Sequence, residues 1–435
     1  MNSAIHHTGP VNVMRGVRST SHRFRVPLDH GDPTGEQISL FAREYSSTDH
    51  SDAEAARLPW LLFLQGGPGV RGNRTTQLSG WMKAAARDFR ILMLDQRGTG
   101  FSTPADPLTL PQRGTAVEQA GYLRHFRADS IVADAEVMRA ALGSAPWTVF
   151  GQSFGGFCTL SYLSFAPEGM DRAIITGGLA PLAGPVERVY RSTFKRVAKR
   201  NAEYFGRYPQ DRTAVTHIMR HLDRVEEVLP TGERLTPQRF QMVGSFLGGN
   251  TRVDALHYLL EDAFVGAYDG DRLSPVFLDQ LQSVVSRRSN PLYALLHESI
   301  YCQGQASSWA AWRVLEEFPD FAPDAADPLL TGEMVYPWYF DEDPSLVPLQ
   351  ETAELIAAAD DWGPLYDVPR LAANAVPAAA AVYSDDIYVD RDLSLETAAS
   401  VRGLQVWETA DFHHDGIHDD GDAIFSRLLA MTHTG

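Results

Sequence analysis

The chain has 435 residues, a formal net charge of −17 and 44% hydrophobic residues, values typical of a globular protein rather than a disordered one. The acidic balance argues against a nucleic-acid partner, because phosphate binding requires clustered lysine and arginine. Only two cysteines are present and no apolar run reaches the roughly 18 residues of a membrane span, so we expect a cytoplasmic protein without disulfides or membrane association.

Short, continuously apolar segments predict buried strands in the first part of the chain. Trp60–Leu64 runs into Gln-Gly-Gly-Pro-Gly, and residues 89–95 run into Gln-Arg-Gly-Thr-Gly. Residues 147–150 form a third segment of this kind. Because buried strands without polar–apolar alternation are typical of parallel sheets covered on both faces, we expect a parallel sheet.

A helix is predicted between the second and third of these strands. Ile131, Ala135, Met138 and Leu142 recur at helical spacing, and Ser130 is a suitable N-cap. The order strand, helix, strand favours an α/β fold with right-handed crossovers.

The pattern changes near residue 184. From there to about 363 the sequence is more polar, rich in helical stretches and poor in buried strands. Strand-like segments return at Ala378–Tyr383 and Leu404–Thr409, and residues 423–432 predict a final helix. We therefore predict a core formed by residues 1–183 and 364–435, interrupted by a helical cap of residues 184–363.

A candidate nucleophile follows the third strand. The segment Gly151-Gln-Ser153-Phe-Gly155 fits G-x-S-x-G, in which a serine occupies a strained turn between strand and helix and the glycines relieve crowding. A serine hydroxyl is a weak nucleophile, so it requires a histidine base and an acid that orients the imidazole. In this type of site the three residues follow in the order Ser, Asp or Glu, His.

The last part of the chain supplies both partners. Asp385 and Asp386 follow the strand Ala378–Tyr383, whereas His413 and His414 follow Leu404–Thr409. We favour Asp386 as the acid and His414 as the base, and Asp385 and His413 remain the alternatives.

An oxyanion hole requires backbone NH donors beside the nucleophile. We expect one donor to be the NH of Phe154, directly after Ser153. The other is assigned to Gly67 in the glycine-rich turn after the first strand, where the backbone can approach a substrate closely.

Three motifs together resemble the proline iminopeptidase family: QGGPG at Gly66, DQRGTGFS at residues 95–102, and GQSFGG at residues 151–156. The resemblance implies an α/β-hydrolase core with a mostly parallel sheet and a large helical cap insertion. It also places Asp386 at the acid position. Gln65 departs from the family, whose first motif usually begins with histidine.

The same resemblance implies that glutamates of the cap bind the free α-amine of a substrate. Glu298-Ser-Ile-Tyr301 is similar to the family's Glu-x-x-Tyr element, so Glu298 is the expected amine anchor and Tyr301 a neighbouring substrate contact. Glu261 is a candidate second carboxylate. The aromatic candidates for a proline-ring slot are Trp309, Trp312, Trp338 and Tyr339.

The expected activity is that of a serine aminopeptidase. It would release an N-terminal residue, preferably proline, from short peptides with a free N-terminus, through an acyl-enzyme and without a metal or organic cofactor. The alternatives are a broader aminopeptidase or a carboxylic-ester hydrolase with the same triad, and a non-catalytic binding protein. The sequence does not indicate the oligomeric state.

Overall fold

The computed structural model describes residues 6–265 and 272–433. Its centre is a nine-stranded sheet. The strands, numbered in chain order, are β1 (His6–Met14), β2 (Val17–Pro27), β3 (Gln37–Ser47), β4 (Trp60–Leu64), β5 (Arg90–Asp95), β6 (Trp147–Gln152), β7 (Met170–Thr176), β8 (Ala378–Tyr383) and β9 (Leu404–Thr409).

The sheet order is β1-β2-β3-β5-β4-β6-β7-β8-β9. Strands β4 to β9 are parallel to one another, whereas β1, β2 and β3 form an antiparallel extension at one edge. The predicted mostly parallel sheet is therefore confirmed. The antiparallel extension was not predicted, because strands such as β2 alternate between buried and more exposed side chains and lack a continuous apolar run.

Helices cover both faces of the sheet and form the long segment between β7 and β8. Those outside residues 184–363 are Asp52–Ala55, Gly80–Ala85, Ala116–Leu123, Ala128–Ala141, Phe154–Phe165, Val368–Ala372, Arg391–Ser400 and Gly416–Met431. Those within it are Glu187–Arg207, Pro209–Arg224, Pro237–Gln241, Arg252–Glu261, Pro275–Val285, Pro291–Leu296, Ala310–Leu315, Tyr339–Glu342 and Gln350–Ala358. Of the helices described, none combines the length and apolar character needed to cross a bilayer.

Two predicted helices are present with different boundaries. The helix predicted after β5 is Ala128–Ala141, so the N-cap assignment to Ser130 is wrong: Arg127 precedes the helix and Ser130 lies in its first turn. The final helix begins at Gly416 rather than near residue 423, and Asp420 interrupts it with non-helical backbone angles.

Between β7 and β8 the described residues add no strand to the main sheet; they form helices and two-residue ribbons. The proposed boundaries at 183/184 and 363/364 fall in loops before Glu187 and after Ala358. The division into core and cap at these positions stays a prediction.

The parallel strands bring distant loops together. The carboxyl ends of the parallel strands β4, β6, β8 and β9 all point to the same side of the sheet, across the strand ends. Each of these strands is followed by a loop that carries a candidate site residue. In open parallel sheets this side is where binding sites form.

Candidate active site

Ser153 occupies a sharp turn between β6 and the helix Phe154–Phe165. Its backbone has φ 54° and ψ −125°, a strained combination for a residue other than glycine. The Ser153 NH donates to the carbonyl of Thr176 at 3.0 Å, which fixes the turn against β7. A Cβ on Gly151 would lie 2.2 Å from the Gly155 carbonyl oxygen, so the flanking glycine is a steric requirement.

The hydroxyl of Ser153 meets an imidazole from the far end of the chain. His414 Nε2 lies 2.9 Å from Ser153 Oγ, and His414 Nδ1 lies 2.8 Å from Asp386 Oδ2. These distances allow a continuous hydrogen-bonded chain from carboxylate to hydroxyl. The arrangement can activate a serine nucleophile by general-base catalysis.

The loop after β8 holds Asp386 in place. Its second oxygen, Oδ1, accepts backbone NH groups from Tyr388 at 2.8 Å and Val389 at 3.0 Å. The Tyr388 ring contacts the His414 imidazole edge-on at 4.9 Å, and its hydroxyl donates to the carbonyl of Ser245 in the cap segment. Tyr388 therefore packs against the imidazole and joins the loop after β8 to the cap.

The competing acid and histidine face elsewhere. Asp385 forms an ion pair with Lys199, and this hydrogen bond keeps the pKa of Asp385 below its usual value. His413 Nδ1 lies 3.1 Å from the carbonyl oxygen of Asp385, and burial lowers its pKa. The structure thus brings His414, rather than His413, into contact with Ser153, and Asp386, rather than Asp385, into contact with His414.

His414 has an unusually high proton affinity for a buried histidine. Burial by itself lowers its pKa, but the charge and hydrogen bond of Asp386, together with Glu333 and Asp415, outweigh burial and raise the pKa to about 9. The imidazolium that forms when Ser153 loses its proton is therefore well stabilised.

The glycine-rich turn after β4 passes directly beside the nucleophile. A Cβ on Gly66 would lie 3.1 Å from Ser153 Cβ, so any side chain there would crowd the serine. The NH groups of Gly67 and Phe154 donate to no other residue in the described part of the chain. Both are thus available as oxyanion donors.

The DQRGTGFS segment forms part of the scaffold. Asp95 accepts NH groups from Gly72 at 3.0 Å and Phe101 at 2.9 Å, which joins two loops at the end of β5. Arg97 is buried and forms an ion pair with Asp134 at 2.6 Å. These contacts hold the loops that surround the active site.

Gln65 replaces the histidine of the related motif and contributes through its backbone. Its carbonyl oxygen accepts a hydrogen bond from Gln96 Nε2 at 3.0 Å. Its buried side-chain oxygen, Oε1, has no partner among the described residues. The turn is therefore supported without the histidine.

Several partly accessible side chains interact electrostatically with the triad or with one another. Ser153, Tyr293, Tyr301 and Glu333 each retain accessible surface. Yet burial raises the pKa of Tyr293, Tyr301 and Glu333, which lie deep inside the protein. From this combination of depth and accessibility we infer an enclosed space beside the triad, which we call the chamber.

Glu333 is the acidic side chain of this chamber that interacts electrostatically with His414. Burial raises the pKa of its carboxyl, and the nearby charge of His414 and a hydrogen bond with Tyr293 oppose that rise. An enclosed carboxylate beside a nucleophile is suited to a cationic ligand group.

Glu298 is buried and already engaged with backbone. Its oxygens accept the NH groups of Ala310 at 3.1 Å and Ala311 at 2.8 Å, at the start of the helix Ala310–Leu315. Burial raises its pKa despite these bonds. The following Tyr301 reaches the core, with its ring 5.5 Å from that of Phe157.

Two other sequence candidates lie away from the triad. Glu261 is exposed at the end of the helix Arg252–Glu261. That helix begins at Arg252, which pairs with Asp415 beside His414, so Glu261 is roughly 13 Å further along the axis. Trp309 donates to Glu354 at 3.1 Å on the outer side of the cap.

The remaining aromatic candidates form a separate cluster. Tyr336 stacks on Trp338 at 5.7 Å and meets Trp312 edge-on at 5.8 Å, and Trp312 is 44% exposed. The Tyr339 hydroxyl donates to the carbonyl of Met334. The structure therefore shows these rings packing on one another, not a ring slot at Ser153.

Sequence reasoning missed Glu333 and Tyr388. Glu333 lies in an irregular segment, Thr-Gly-Glu-Met-Val, that carries no periodic pattern. Tyr388 follows the acid by two residues, so its position after Asp386 was a signal that could have been used.

The chain is similar to known proteins over part or nearly all of its length. The α/β-hydrolase fold family model matches residues 59–249. The proline iminopeptidase of Aeromonas sobria is 45% identical over 434 residues, covering 99% of both chains. The proline iminopeptidase aneH of Aspergillus aculeatus is 34% identical over 434 residues, covering 98% of this chain and 95% of the relative.

Among solved structures, the proline iminopeptidase of Mycobacterium smegmatis is 12% identical, with a TM-score of 0.45 over 94% of this chain and 97% of that chain. The two sequence relatives align over almost their whole lengths, each above 30% identity. This chain therefore belongs to the proline iminopeptidase family of α/β-hydrolase proteins.

Proposed function

We propose that this protein is a serine aminopeptidase that releases an N-terminal residue, preferably proline, from short peptides. The observation that carries the proposal is the hydrogen-bonded chain Ser153–His414–Asp386 beside a chamber that contains the Glu333 carboxylate. The two full-length relatives, both named as proline iminopeptidases, support the same activity.

In the proposed reaction, Ser153 Oγ attacks the scissile carbonyl while His414 Nε2 accepts its proton. Asp386 holds the imidazole in the required orientation and stabilises its cationic form. The NH groups of Gly67 and Phe154 stabilise the oxyanion. His414 then returns the proton to the leaving amine, and water hydrolyses the acyl-enzyme by the same route.

Recognition of the free N-terminus is assigned to Glu333. A proline N-terminus carries a positive charge, and an enclosed carboxylate stabilises it by charge-assisted hydrogen bonds. Glu298 remains the candidate second carboxylate, although its oxygens already accept two backbone NH groups. Tyr301 is the aromatic side chain that we assign to the proline ring, since it lies in the chamber.

The cap explains the preference for short peptides. The segment of residues 184–363 carries Tyr301 and Glu333 towards the triad, so a substrate would enter between cap and core. A cytoplasmic location belongs to the same proposal and is compatible with two buried free cysteines.

The test compares a chromogenic proline amide with its N-acetylated form and with a simple ester that lacks an amine. We expect acetylation to lower kcat/KM at least about 100-fold, because the neutral amide cannot bind the carboxylate as a cation. Ser153→Ala should abolish turnover of all three substrates while the thermal unfolding temperature is retained. Equal turnover of free and acetylated amides would instead establish a hydrolase without amine recognition.

A further inference from the structure

A second cavity opens where the core loops meet the cap. It has a volume of about 720 Å³ and lies between the loops at residues 69–71 and 98–100 on the core side and residues 288–292 on the cap side. We call it the seam cavity.

Two exposed arginines face the seam cavity. Arg71 and Arg288 both line it, both are exposed, and neither forms an ion pair with another residue of the described ranges. Among the described residues that line it, the other ionisable group is Asp106, whose Oδ1 accepts NH groups from Leu108 at 2.8 Å and Thr109 at 2.9 Å. In a protein of net charge −17, the cavity is therefore locally cationic.

One short turn of the chain links the nucleophile to the wall of the seam cavity. Gly66 is in contact distance of Ser153, and Gly69, three residues later, forms a wall of the cavity. Three peptide units span at most about 11 Å. A Cβ on Gly69 would lie 2.2 Å from Asn290 Oδ1, and Asn290 Nδ2 donates to the carbonyl of Pro68 at 3.3 Å, so core turn and cap are closely fitted here.

We propose that the seam cavity receives the leaving part of the substrate and that Arg71 and Arg288 bind its C-terminal carboxylate. The inference rests on the proposed aminopeptidase activity and names its substrate class. Extended peptide spans about 3.3–3.6 Å per residue, so a carboxylate at this distance lies one to three residues beyond the scissile bond. The guanidinium group presents paired NH donors that match a carboxylate. The preferred substrates are di- to tetrapeptides with a free C-terminus.

The experiment measures kcat/KM for Pro-Gly-Gly with a free carboxylate, for the same peptide with a C-terminal amide, and for the chromogenic proline amide. It compares the native protein with Arg71→Gln/Arg288→Gln. Arg57→Gln is the control. Arg57 is also exposed, but it precedes β4 and so lies near the amino ends of the parallel strands, away from the seam cavity. We expect the native protein to prefer the free acid and the double variant to lose roughly tenfold on that substrate, with less than about twofold change on the other two.

The outcomes separate this inference from the proposed function. An unchanged ratio of acid to amide turnover in the double variant, or an equal loss on all three substrates, would overturn the carboxylate site. Absence of turnover of the chromogenic amide by the native protein would instead reject the aminopeptidase activity. Arg57→Gln should behave as the native protein with every substrate, and an equal loss in that variant would also count against the site.

Discussion

His414 interacts with two acidic side chains that have different proposed tasks. Asp386 accepts its Nδ1 hydrogen at 2.8 Å and is itself fixed by two backbone NH groups. Glu333 acts on the same imidazole only through its charge. The acid that orients the base and the acid proposed to bind substrate therefore both increase the proton affinity of His414.

This proton affinity predicts an alkaline activity profile. His414 must be neutral to accept the Ser153 proton, and its pKa is raised to about 9. We therefore expect kcat/KM to increase about tenfold per pH unit below pH 9 and to level off above it. A simple ester should be used, since it carries no titrating amine. A rise of kcat/KM with its midpoint near pH 6.5, the ordinary pKa of histidine, would contradict this expectation.

Glu333→Gln removes a charge but keeps the shape of the side chain. We expect kcat/KM for the proline amide to fall about 10- to 100-fold, since one charge-assisted hydrogen bond is lost, and the ester to be affected much less. The acidic limb should also move to lower pH, because the lost negative charge no longer raises the His414 pKa.

Glu261→Gln is the matched control for this change, since Glu261 is exposed at the far end of its helix. We expect neither its rates nor its pH limb to differ from those of the native protein. Equal losses of Glu333→Gln on amide and ester would rule out amine recognition by Glu333.

At the scale of elements, the site depends on how closely the helix after Ser153 approaches β4. A Cβ on Gly155 would lie 1.8 Å from the carbonyl oxygen of Leu64, a backbone atom in the middle of the sheet. The glycines of the GQSFGG segment therefore serve packing as well as the turn itself. This explains why the short pattern is informative about both fold and chemistry.

Gly155→Ala should consequently destabilise the protein. The methyl group would force helix and strand apart, and we expect the free energy of unfolding to fall by about 1–3 kcal/mol or more. Gly121→Ala is the control: Gly121 lies in the helix Ala116–Leu123 with no atom near its Cβ position. At position 121, alanine should increase the free energy of unfolding by roughly 0.5–1 kcal/mol, because alanine favours the helix more than glycine does. Denaturant unfolding measures both, and equal effects would contradict the packing argument.

On the scale of the whole molecule, Arg127 joins core to cap. Buried at the start of the helix Ala128–Ala141, it donates to the carbonyls of Ser299, Cys302 and Gly363. Its guanidinium also lies 4.5 Å from the Trp362 ring centre. The segment held in this way includes Tyr301, so the clamp fixes one wall of the chamber.

Arg127→Met should leave these carbonyls without their donor. We expect a loss of about 1–3 kcal/mol in the free energy of unfolding, because the buried carbonyl of Cys302 would be unsatisfied, whereas the Ser299 carbonyl still accepts the NH of Cys302. Arg124→Met is the control, since Arg124 forms an exposed ion pair with Asp361, worth about 0–1 kcal/mol. Thermal unfolding of both variants measures the difference. Similar losses would show that Arg127 is not a specific clamp.

Local signals in the sequence were sufficient for much of the core. The strands β8 and β9 have the predicted boundaries, and β4 and the strand before Ser153 were also located. Continuous apolar runs and glycine-rich turns are read from neighbouring residues, so they need no knowledge of the fold. The antiparallel strands β1 to β3 lacked that signal.

Within the site, the sequence by itself determined the nucleophile turn and narrowed the acid and base to two adjacent pairs. Only the tertiary structure decided between them: Asp385 turns to Lys199, whereas Asp386 meets His414. The tertiary structure alone also shows that Glu333, from an irregular segment of the cap, interacts with the His414 imidazole. Contacts between residues far apart in the chain depend on how sheet and cap pack, and no local pattern records that packing.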